Sequence, residues 1–402
     1  TTTTRRDPTS TATATSTATT SATTTTSATT TTTTTTTTAA LEQCVATYKL
    51  PKVASIVSKG LCVDDLTLSS CAHELPRIWP NTYFERVRSL RLYKVWHPSW
   101  GEESRRREVW SEFASWIIAN DVAVLVGTEV SCDAKADDVM WRWTLEFIKL
   151  LGKHRIIGIA LGNEMDVIRQ DNNSFSGPQD ISSCNAELWA TRYWRTLADR
   201  VSDLDRHGFG DTKVTIVWAA SVLVQSPWRD TAPWPIRELV TRAYSTWGRR
   251  WVWSFNVYAV WDGSRWPTSS TDCAARARAA TSIRYTKAVL RVVRQRMRMI
   301  TGNYDDTLWV MGATGGGGTS FCASFFTQEA IQEGYEQFMS WDLSTGMGMR
   351  GPDRVFFFTM HDGLPSVGAE VGSATRPIGF GLVHSCGDRF CKLQRDVHPL
   401  LS

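Results

Sequence analysis

The stretch Val122-Ala123-Val124-Leu125-Val126 is an unbroken apolar run, and it is one of eight short runs rich in β-branched and aromatic residues. A run without polar alternation is typical of a strand that is covered on both faces, as the strands of parallel sheets are. Longer segments with helical periodicity separate the runs. In chain order the runs are Val53 to Lys59, Ser89 to Trp96, Val122 to Val130, Ile156 to Glu164, Lys213 to Ala220, Trp251 to Trp261, Thr307 to Thr314 and Arg354 to Asp362.

The segments between the runs carry apolar residues at steps of three or four. Each segment therefore predicts a helix with one apolar face that packs against a sheet. Two such stripes are Met140, Trp143, Phe147 and Leu150, and Leu290, Val293, Met297 and Ile300. Eight strand and helix alternations favour a closed (β/α)8 TIM barrel of the α/β class. An open doubly wound sheet is disfavoured because no glycine-rich phosphate fingerprint follows the first run.

Residues 1–40 differ from the rest, because they are almost entirely Thr with some Ala and Ser. Such a segment has no apolar groups to offset the entropy of ordering, so we expect it to be disordered and residues 41–402 to form the barrel domain. Thr and Ser tracts of this kind resemble O-glycosylated stalks. We therefore expect a secreted or cell-wall-associated protein.

Composition excludes several classes of partner. The net charge of +4 is small for 402 residues, which disfavours nucleic acid. Nine cysteines without a CxxC pair disfavour zinc, and an extracellular chain would pair most of them. The sequence shows no membrane span, and we expect no cofactor and a monomer. The 19 tryptophans suit a protein that stacks sugar rings on indoles, although large cores collect Trp too.

The fourth run ends in Gly162-Asn163-Glu164, which places an amide and a carboxylate side by side after a largely apolar stretch. Active sites of such barrels lie where strands end at the C-terminal face. A carboxyl there is partly desolvated, which raises its pKa and suits it to protonate a departing glycosidic oxygen. Asn163 is a candidate to bind the 2-hydroxyl of the sugar.

The chain resembles glycoside hydrolase family 17, the β-1,3-glucanases, because that family has Gly-Asn-Glu at the end of its fourth strand. Four other segments are similar to the family's strand ends and cover nearly the whole chain beyond the Thr tract. They are Leu90-Arg91-Leu92-Tyr93, Asn256-Val257-Tyr258, the aromatic run ending in His361-Asp362, and Gly379-Phe380-Gly381-Leu382. The resemblance implies a protein that acts on β-glucan, with Glu164 as general acid/base and Arg91, Tyr93, Asn256 and Tyr258 around it.

One position departs from the family. Its seventh strand ends in Glu-Thr-Gly-Trp, where Glu is the nucleophile, whereas this chain has Ala313-Thr314-Gly315-Gly316. A retaining hydrolase needs two carboxyls about 5 to 5.5 Å apart, and the methyl group of alanine cannot attack the sugar. Three explanations stay open: a non-hydrolytic carbohydrate-binding or wall-structural protein, a substitute acid for an inverting reaction, or an altered position on an active scaffold. The candidate substitutes are Glu129, Asp262 and Asp362.

Tryptophans just beyond the strand ends are candidates for sugar platforms. These are Trp96, Trp261 and Trp266. Pyranose rings present flat C–H faces that pack on indole, but packing within the barrel is an equally good explanation for each of them.

Overall fold

The computed structural model describes residues 49–63, 68–71, 75–97, 100–131, 133–164, 192–224, 236–259, 273–313 and 327–361, together with Gly381, Leu382 and Leu393. The chain divides into two units, Thr1–Ala40 and Leu41–Ser402. All described residues belong to the second unit, so the Thr-rich segment lies outside them.

Eight parallel strands form a closed barrel in which each strand pairs with its neighbours in the sequence and β8 pairs with β1. This confirms the predicted (β/α)8 TIM barrel. The strands are β1 (Lys59–Val63), β2 (Ser89–Leu92), β3 (Ala123–Thr128), β4 (Ile156–Asn163), β5 (Lys213–Ala219), β6 (Trp253–Val257), β7 (Leu308–Ala313) and β8 (Arg354–Phe357).

Helices lie between the strands. They are α1 (Leu68–Cys71), α2 (Glu103–Asn120), α3 (Ala134–Leu151), α4 (Tyr193–Arg206), α5 (Ala220–Leu223), α6 (Ile236–Trp247), α7 (Cys273–Thr281), α8 (Ile283–Thr301) and α9 (Gln328–Ser340). Short 3₁₀ turns at Ile56–Ser58, Lys153–Arg155 and Gly248–Arg250 precede β1, β4 and β6.

The apolar interior has two layers. The inner cluster fills the barrel and consists of Cys62, Leu125, Ala160, Val217, Val252, Trp309, Met311 and Phe356. The outer cluster lies between strands and helices and takes the alternate strand residues, such as Leu61, Val63, Leu90 and Leu92. Successive side chains of a strand point to opposite faces, so membership of a cluster shows which way a strand residue points.

The first strand was placed too early by the sequence. Val53 to Ser58 are β-branched or small, but Ser55 has a left-handed φ of 51° and Ile56–Ser58 is a 3₁₀ turn. The strand begins at Lys59, whose buried ammonium donates to the carbonyls of Ala54, Met339 and Trp341. Lysine and glycine at the start of β1 are poor strand formers, so tertiary contacts decide its register.

Of the two predicted helical stripes, one differs from the prediction. On α3 the buried face is shifted from the predicted one, because Leu150 is 51% exposed while Thr144, Ile148 and Leu151 are buried. On α8 the stripe of Leu290, Val293 and Met297 is buried as predicted.

Within the described part of the chain no helix has the length and apolar character needed to cross a bilayer. In the same residues no group of three or more His, Cys, Asp or Glu is arranged to hold a metal ion. Cys273 is disulfide-bonded, whereas Cys62 is a free and buried thiol.

Candidate functional site

The C-terminal mouth of the barrel carries a ring of partly exposed residues above a buried polar layer. The partly exposed residues are Tyr93, Lys94, His97, Glu129, Asn163, Glu164, Tyr258 and Phe358. Beneath them Arg91 and Asn256 are buried. Because catalytic groups of such barrels come from the ends of several strands, this ring marks the candidate site.

A bulge at the end of β4 brings Asn163 and Glu164 to the same side. Ala160 pairs with Thr215 of β5, but the next pair is Asn163 with Val217, so β4 holds an extra residue there. Gly162 has a φ of 108° and Glu164 a φ of 47°, and the Glu164 N–H donates to the Val217 carbonyl at 2.7 Å. Strict alternation would point the two side chains apart; the bulge and the left-handed turn remove that separation.

Both β4 side chains meet Asn256 of β6. The Asn256 amide Nδ2 donates to Glu164 Oε1 at 2.9 Å and lies 3.2 Å from Asn163 Oδ1, which it also donates to. The Arg91 guanidinium of β2 donates to Asn256 Oδ1 at 2.8 Å and to Asn163 Oδ1 at 2.6 Å. A third bond runs from Arg91 to the Met311 carbonyl of β7 at 2.5 Å. One arginine therefore joins β2, β4, β6 and β7.

Arg91 fixes the orientation of both amides. A guanidinium only donates hydrogen bonds, so the oxygens of Asn163 and Asn256 must face it. The Asn256 Nδ2 group is then directed at Glu164, and the Asn163 Nδ2 group is directed away from Arg91. Because Glu164 Oε1 accepts from Asn256, a proton on this carboxyl belongs on Oε2.

The surroundings of Glu164 favour its protonated form. Burial raises the pKa of Glu164, while the Asn256 hydrogen bond and the Arg91 charge lower it to a smaller extent. Within the described residues, neither of the named partners that shift this pKa is a carboxylate. A partly buried acid with a raised pKa is the arrangement that general acid catalysis requires.

Three aromatic side chains line the mouth, at the ends of β2, β6 and β8. The rings of Tyr93 and Phe358 meet edge to face at 5.9 Å, and those of Tyr258 and Phe358 do so at 5.4 Å. The Arg91 guanidinium lies 4.1 Å from the centre of the Tyr93 ring. Burial raises the pKa of both Tyr93 and Tyr258, so both are neutral phenols.

A second bulge sets the end of β7. Asn256 pairs with Gly312 and Val257 with Ala313, after a shift of register beyond Phe255. Ala313 also pairs with Phe357 of β8, and all three of these apolar residues belong to the outer cluster. The Ala313 methyl therefore packs in the outer cluster, on the face of the sheet opposite to the Asn256 amide.

Glu129 lies at the mouth at the end of β3. Its Oε2 forms an ion pair with Lys94 Nζ at 2.8 Å, and its backbone carbonyl accepts from buried Arg200 at 2.6 Å. His97 lies nearby, and burial together with the Lys94 charge lowers its pKa to about 4. The Glu129 carboxylate is therefore already engaged by an ammonium.

Of the three candidate tryptophans, Trp96 is among the described residues and the other two are outside them. Trp96 is 3% exposed, and its indole stacks on Trp143 with ring centres 3.8 Å apart, so that face is covered by protein. Trp261, Trp266, Asp262 and Asp362 lie outside the described residues, as do Thr314, Gly315 and Gly316.

Sequence reasoning missed three residues of the mouth. The aromatic run predicts Phe358 within a strand, but it lies one residue beyond β8 and its ring contacts those of two tyrosines. Lys94 follows Tyr93 directly, and its pairing with Glu129 needs the β2 and β3 register. Gly312 was passed over because glycine has no side chain to suggest a role.

Comparison with other proteins gives a fold match without a sequence match. No protein-family model matches the chain, and no curated protein matches it. A β-1,3-glucanase and allergen of Cryptomeria japonica pollen superposes with a TM-score of 0.52 at 11% identity, over 84% of this chain and 98% of that one. A β-glucosidase of Thermotoga maritima reaches only 0.42 at 11% identity, over 86% and 96%, which is too weak to support a conclusion. The barrel thus shares the (β/α)8 fold of this β-1,3-glucanase, and identity this low shows the fold alone.

Proposed function

We propose that this protein acts on a β-glucan chain, most simply a β-1,3-glucan, with Glu164 as the general acid/base. The observation that carries the proposal is the Asn256 hydrogen bond to Glu164 Oε1, held in one orientation by Arg91. Glu164 then has a raised pKa and keeps Oε2 free to carry a proton, and it lies at the C-terminal mouth, where the active sites of such barrels are found. The fold shared with a β-1,3-glucanase and the resemblance of the strand ends support the choice of substrate.

In the proposed reaction the Glu164 proton moves from Oε2 to the glycosidic oxygen as the bond between that oxygen and the anomeric carbon breaks. Asn163 Nδ2 is available to donate to the 2-hydroxyl, a contact that strengthens as the sugar gains oxocarbenium character. Water then adds to the anomeric carbon, and its proton passes to a carboxylate. The candidates for that base are Glu129, which is paired with Lys94, Asp262 and Asp362.

The test is release of reducing sugar from laminarin by the parent chain and by Glu164→Gln. Glutamine keeps the acceptor for Asn256 and loses the proton, so hydrolysis is expected to fall by about 10² to 10⁴ while laminarin binding is retained. Lys153→Met on the far surface is the matched control, and it is expected to change neither. Activity that survives Glu164→Gln would contradict the assignment.

A second candidate function is non-hydrolytic binding of the same glucan, and the structure of β7 favours it. Ala313 belongs to the outer cluster and the inward residue beside Asn256 is Gly312, so β7 supplies no carboxylate. Binding of laminarin without release of reducing sugar at any pH supports this function. Asp262→Asn and Asp362→Asn separate the two, since either one abolishes activity only if it is the base.

A further inference from the structure

A hairpin that precedes β2 holds two aromatic rings in solvent. Ile78 pairs with Arg86 in the antiparallel sense, and the chain reverses between them. Tyr83 and Phe84 lie at this reversal and are 66% and 84% exposed, with their ring centres 6.3 Å apart. Aromatic side chains gain more from burial than most others, so two adjacent rings left in water mark a surface that a partner can cover.

The base of the hairpin is fixed to the barrel. The Tyr335 hydroxyl of α9 donates to the Pro80 carbonyl at 2.8 Å, and the Leu50 N–H donates to the Asn81 carbonyl at 2.8 Å. Trp79 is 1% exposed. Because the chain that carries the rings is already held in place, binding there costs little ordering of the backbone.

Basic side chains lie on the same segments as the rings. The Lys49 ammonium is 5.6 Å from the centre of the Tyr83 ring and donates to a backbone carbonyl of the reversal at 3.1 Å. Arg86 and Arg88 are exposed on either side of buried Val87. Residues two apart in an extended chain point to the same side, so the two guanidinium groups face one ligand together.

These cations are not neutralised by the protein. Lys52 is exposed as well, and residues 49–58 and 75–88 contain one acidic residue, the half-buried Glu85. Within the part of the chain that the structure describes, no carboxylate pairs with any of the four cations. Guanidinium groups bind carboxylates in a bidentate manner. We call this surface the hairpin patch, which consists of Lys49, Lys52, Tyr83, Phe84, Arg86 and Arg88.

The hairpin patch lies at the opposite end of the barrel from Glu164. Residues 49–58 and 75–88 lead into β1 and β2. All eight strands are parallel, so the segments that lead into strands lie at the N-terminal face, whereas Glu164 follows β4 at the C-terminal face. A ligand on the hairpin patch therefore leaves the candidate site open.

We propose that the hairpin patch binds an acidic polysaccharide, a chain whose sugars carry carboxylate groups. The rings pack on the C–H faces of pyranose units, and the arginines pair with the carboxylates. An anionic lipid surface is a poorer match, because binding to it scales with the apolar area inserted and the hairpin offers two rings. The proposal goes beyond the proposed glucan function and does not rest on it.

Titration of the full chain with polygalacturonate tests the proposal. The parent is expected to bind, with an affinity that falls as ionic strength rises. Arg86→Gln with Arg88→Gln is expected to weaken binding about tenfold, and Phe84→Ala about fivefold. The matched control is Arg195→Gln with Arg284→Gln, which removes two exposed arginines from α4 and α8 and is expected to keep the parent affinity. All of these surface variants are expected to keep the unfolding midpoint of the parent.

Two further ligands make the outcome decisive. Laminarin is neutral, and its binding or hydrolysis should be the same in the parent and in the hairpin variants. If the parent does not bind laminarin but binds polygalacturonate through the hairpin patch, the glucan function fails and this inference stands. Equal polygalacturonate affinity in the parent and the hairpin variants, or no binding at all, would overturn it. So would binding to phosphatidylcholine vesicles that contain phosphatidylserine in place of polygalacturonate, since the patch would then belong to a lipid surface.

Discussion

The two ends of the barrel each hold a buried cation, and the two are satisfied in different ways. Near the start of β1, Lys59 donates to three backbone carbonyls, those of Ala54 at 2.5 Å, Met339 at 2.8 Å and Trp341 at 2.7 Å. At the other end Arg91 donates to one carbonyl and to the side chains of Asn163 and Asn256.

The two cations differ in whether their hydrogen-bond partners keep donors of their own. An ammonium has three donors, and Lys59 uses them on main-chain oxygens that join β1 to the end of α9. Arg91 donates to the oxygens of two side-chain amides, and these amides keep N–H groups for other partners. The N–H of Asn256 donates to Glu164. Burial lowers the pKa of Lys59 to about 7, whereas arginine stays charged. The Lys59 contacts join backbone segments, and the Arg91 contacts orient the side chains of the candidate site.

The largest effect is expected at Arg91. Arg91→Met leaves the oxygens of Asn163 and Asn256 without a donor and lets both amides rotate, so hydrolysis or binding of laminarin should fall about 100-fold. Unfolding free energy should fall by about 3 kcal/mol, because buried acceptors lose their partners. Laminarin titration and denaturant unfolding measure both. Full binding by a folded Arg91→Met protein would show that the amides need no orienting group.

Lys59→Met should separate stability from function. Three buried carbonyls lose their donor, and the expected cost is about 3 kcal/mol of unfolding free energy. The affinity of the folded protein for laminarin should be unchanged, since none of these contacts reaches the mouth. The comparison of the two ends fails if affinity falls as far as it does for Arg91→Met.

A smaller effect is expected in the pH dependence of stability. The raised pKa of Glu164 means that the folded chain binds its proton more tightly than the unfolded chain, whose value is near 4.5. The stability that the protonated form contributes is present below that value and is lost as pH rises through the folded pKa. The loss is about 1.4 kcal/mol for each unit by which the pKa is raised.

Glu164→Gln cannot lose a proton, so this component of the pH dependence should vanish and the variant should be more stable than the parent at pH 8. Denaturant unfolding of both proteins from pH 4 to pH 8 measures it. Parallel stability curves for the two proteins would contradict the raised pKa.

The smallest effect is expected at Lys94. Its ion pair with Glu129 is partly exposed, with 20% and 24% of the side chains accessible, and such pairs contribute less than about 1 kcal/mol. Lys94→Met should change stability by no more than that and laminarin affinity by less than about threefold. A tenfold loss of affinity in the titration would extend the binding site to β2 and β3.

The sequence predicted the barrel because apolar runs and helical periodicity are local patterns. The stretch Ile156 to Glu164 shows this most clearly, since β4 occupies Ile156–Asn163. The start of β1 could not be predicted, because Lys59 is fixed there by contacts with distant carbonyls. Propensity carries no information about such contacts.

The candidate site was predicted in part. Arg91, Asn163, Glu164 and Asn256 do meet, as the strand-end rule implies; their roles in binding or catalysis stay predictions. The direction of the Ala313 side chain could not be predicted, because the residue pattern of β7 indicates a strand but does not reveal its bulge. Trp96 depends on tertiary contacts in the same way, since a tryptophan beyond a strand end fits a sugar platform and core packing equally well, and the sequence does not reveal its stacking on Trp143.

The free thiol of Cys62 allows opening of this barrel to be followed by a rate of chemical modification. Cys62 lies in the inner cluster with its Sγ donating to the Met311 carbonyl at 3.2 Å, and burial raises the pKa of the thiol to about 11. Only thiolate reacts with alkylating and disulfide reagents, so the closed barrel protects it by both inaccessibility and protonation. Its rate of modification therefore reports how often the interior of the barrel opens to solvent.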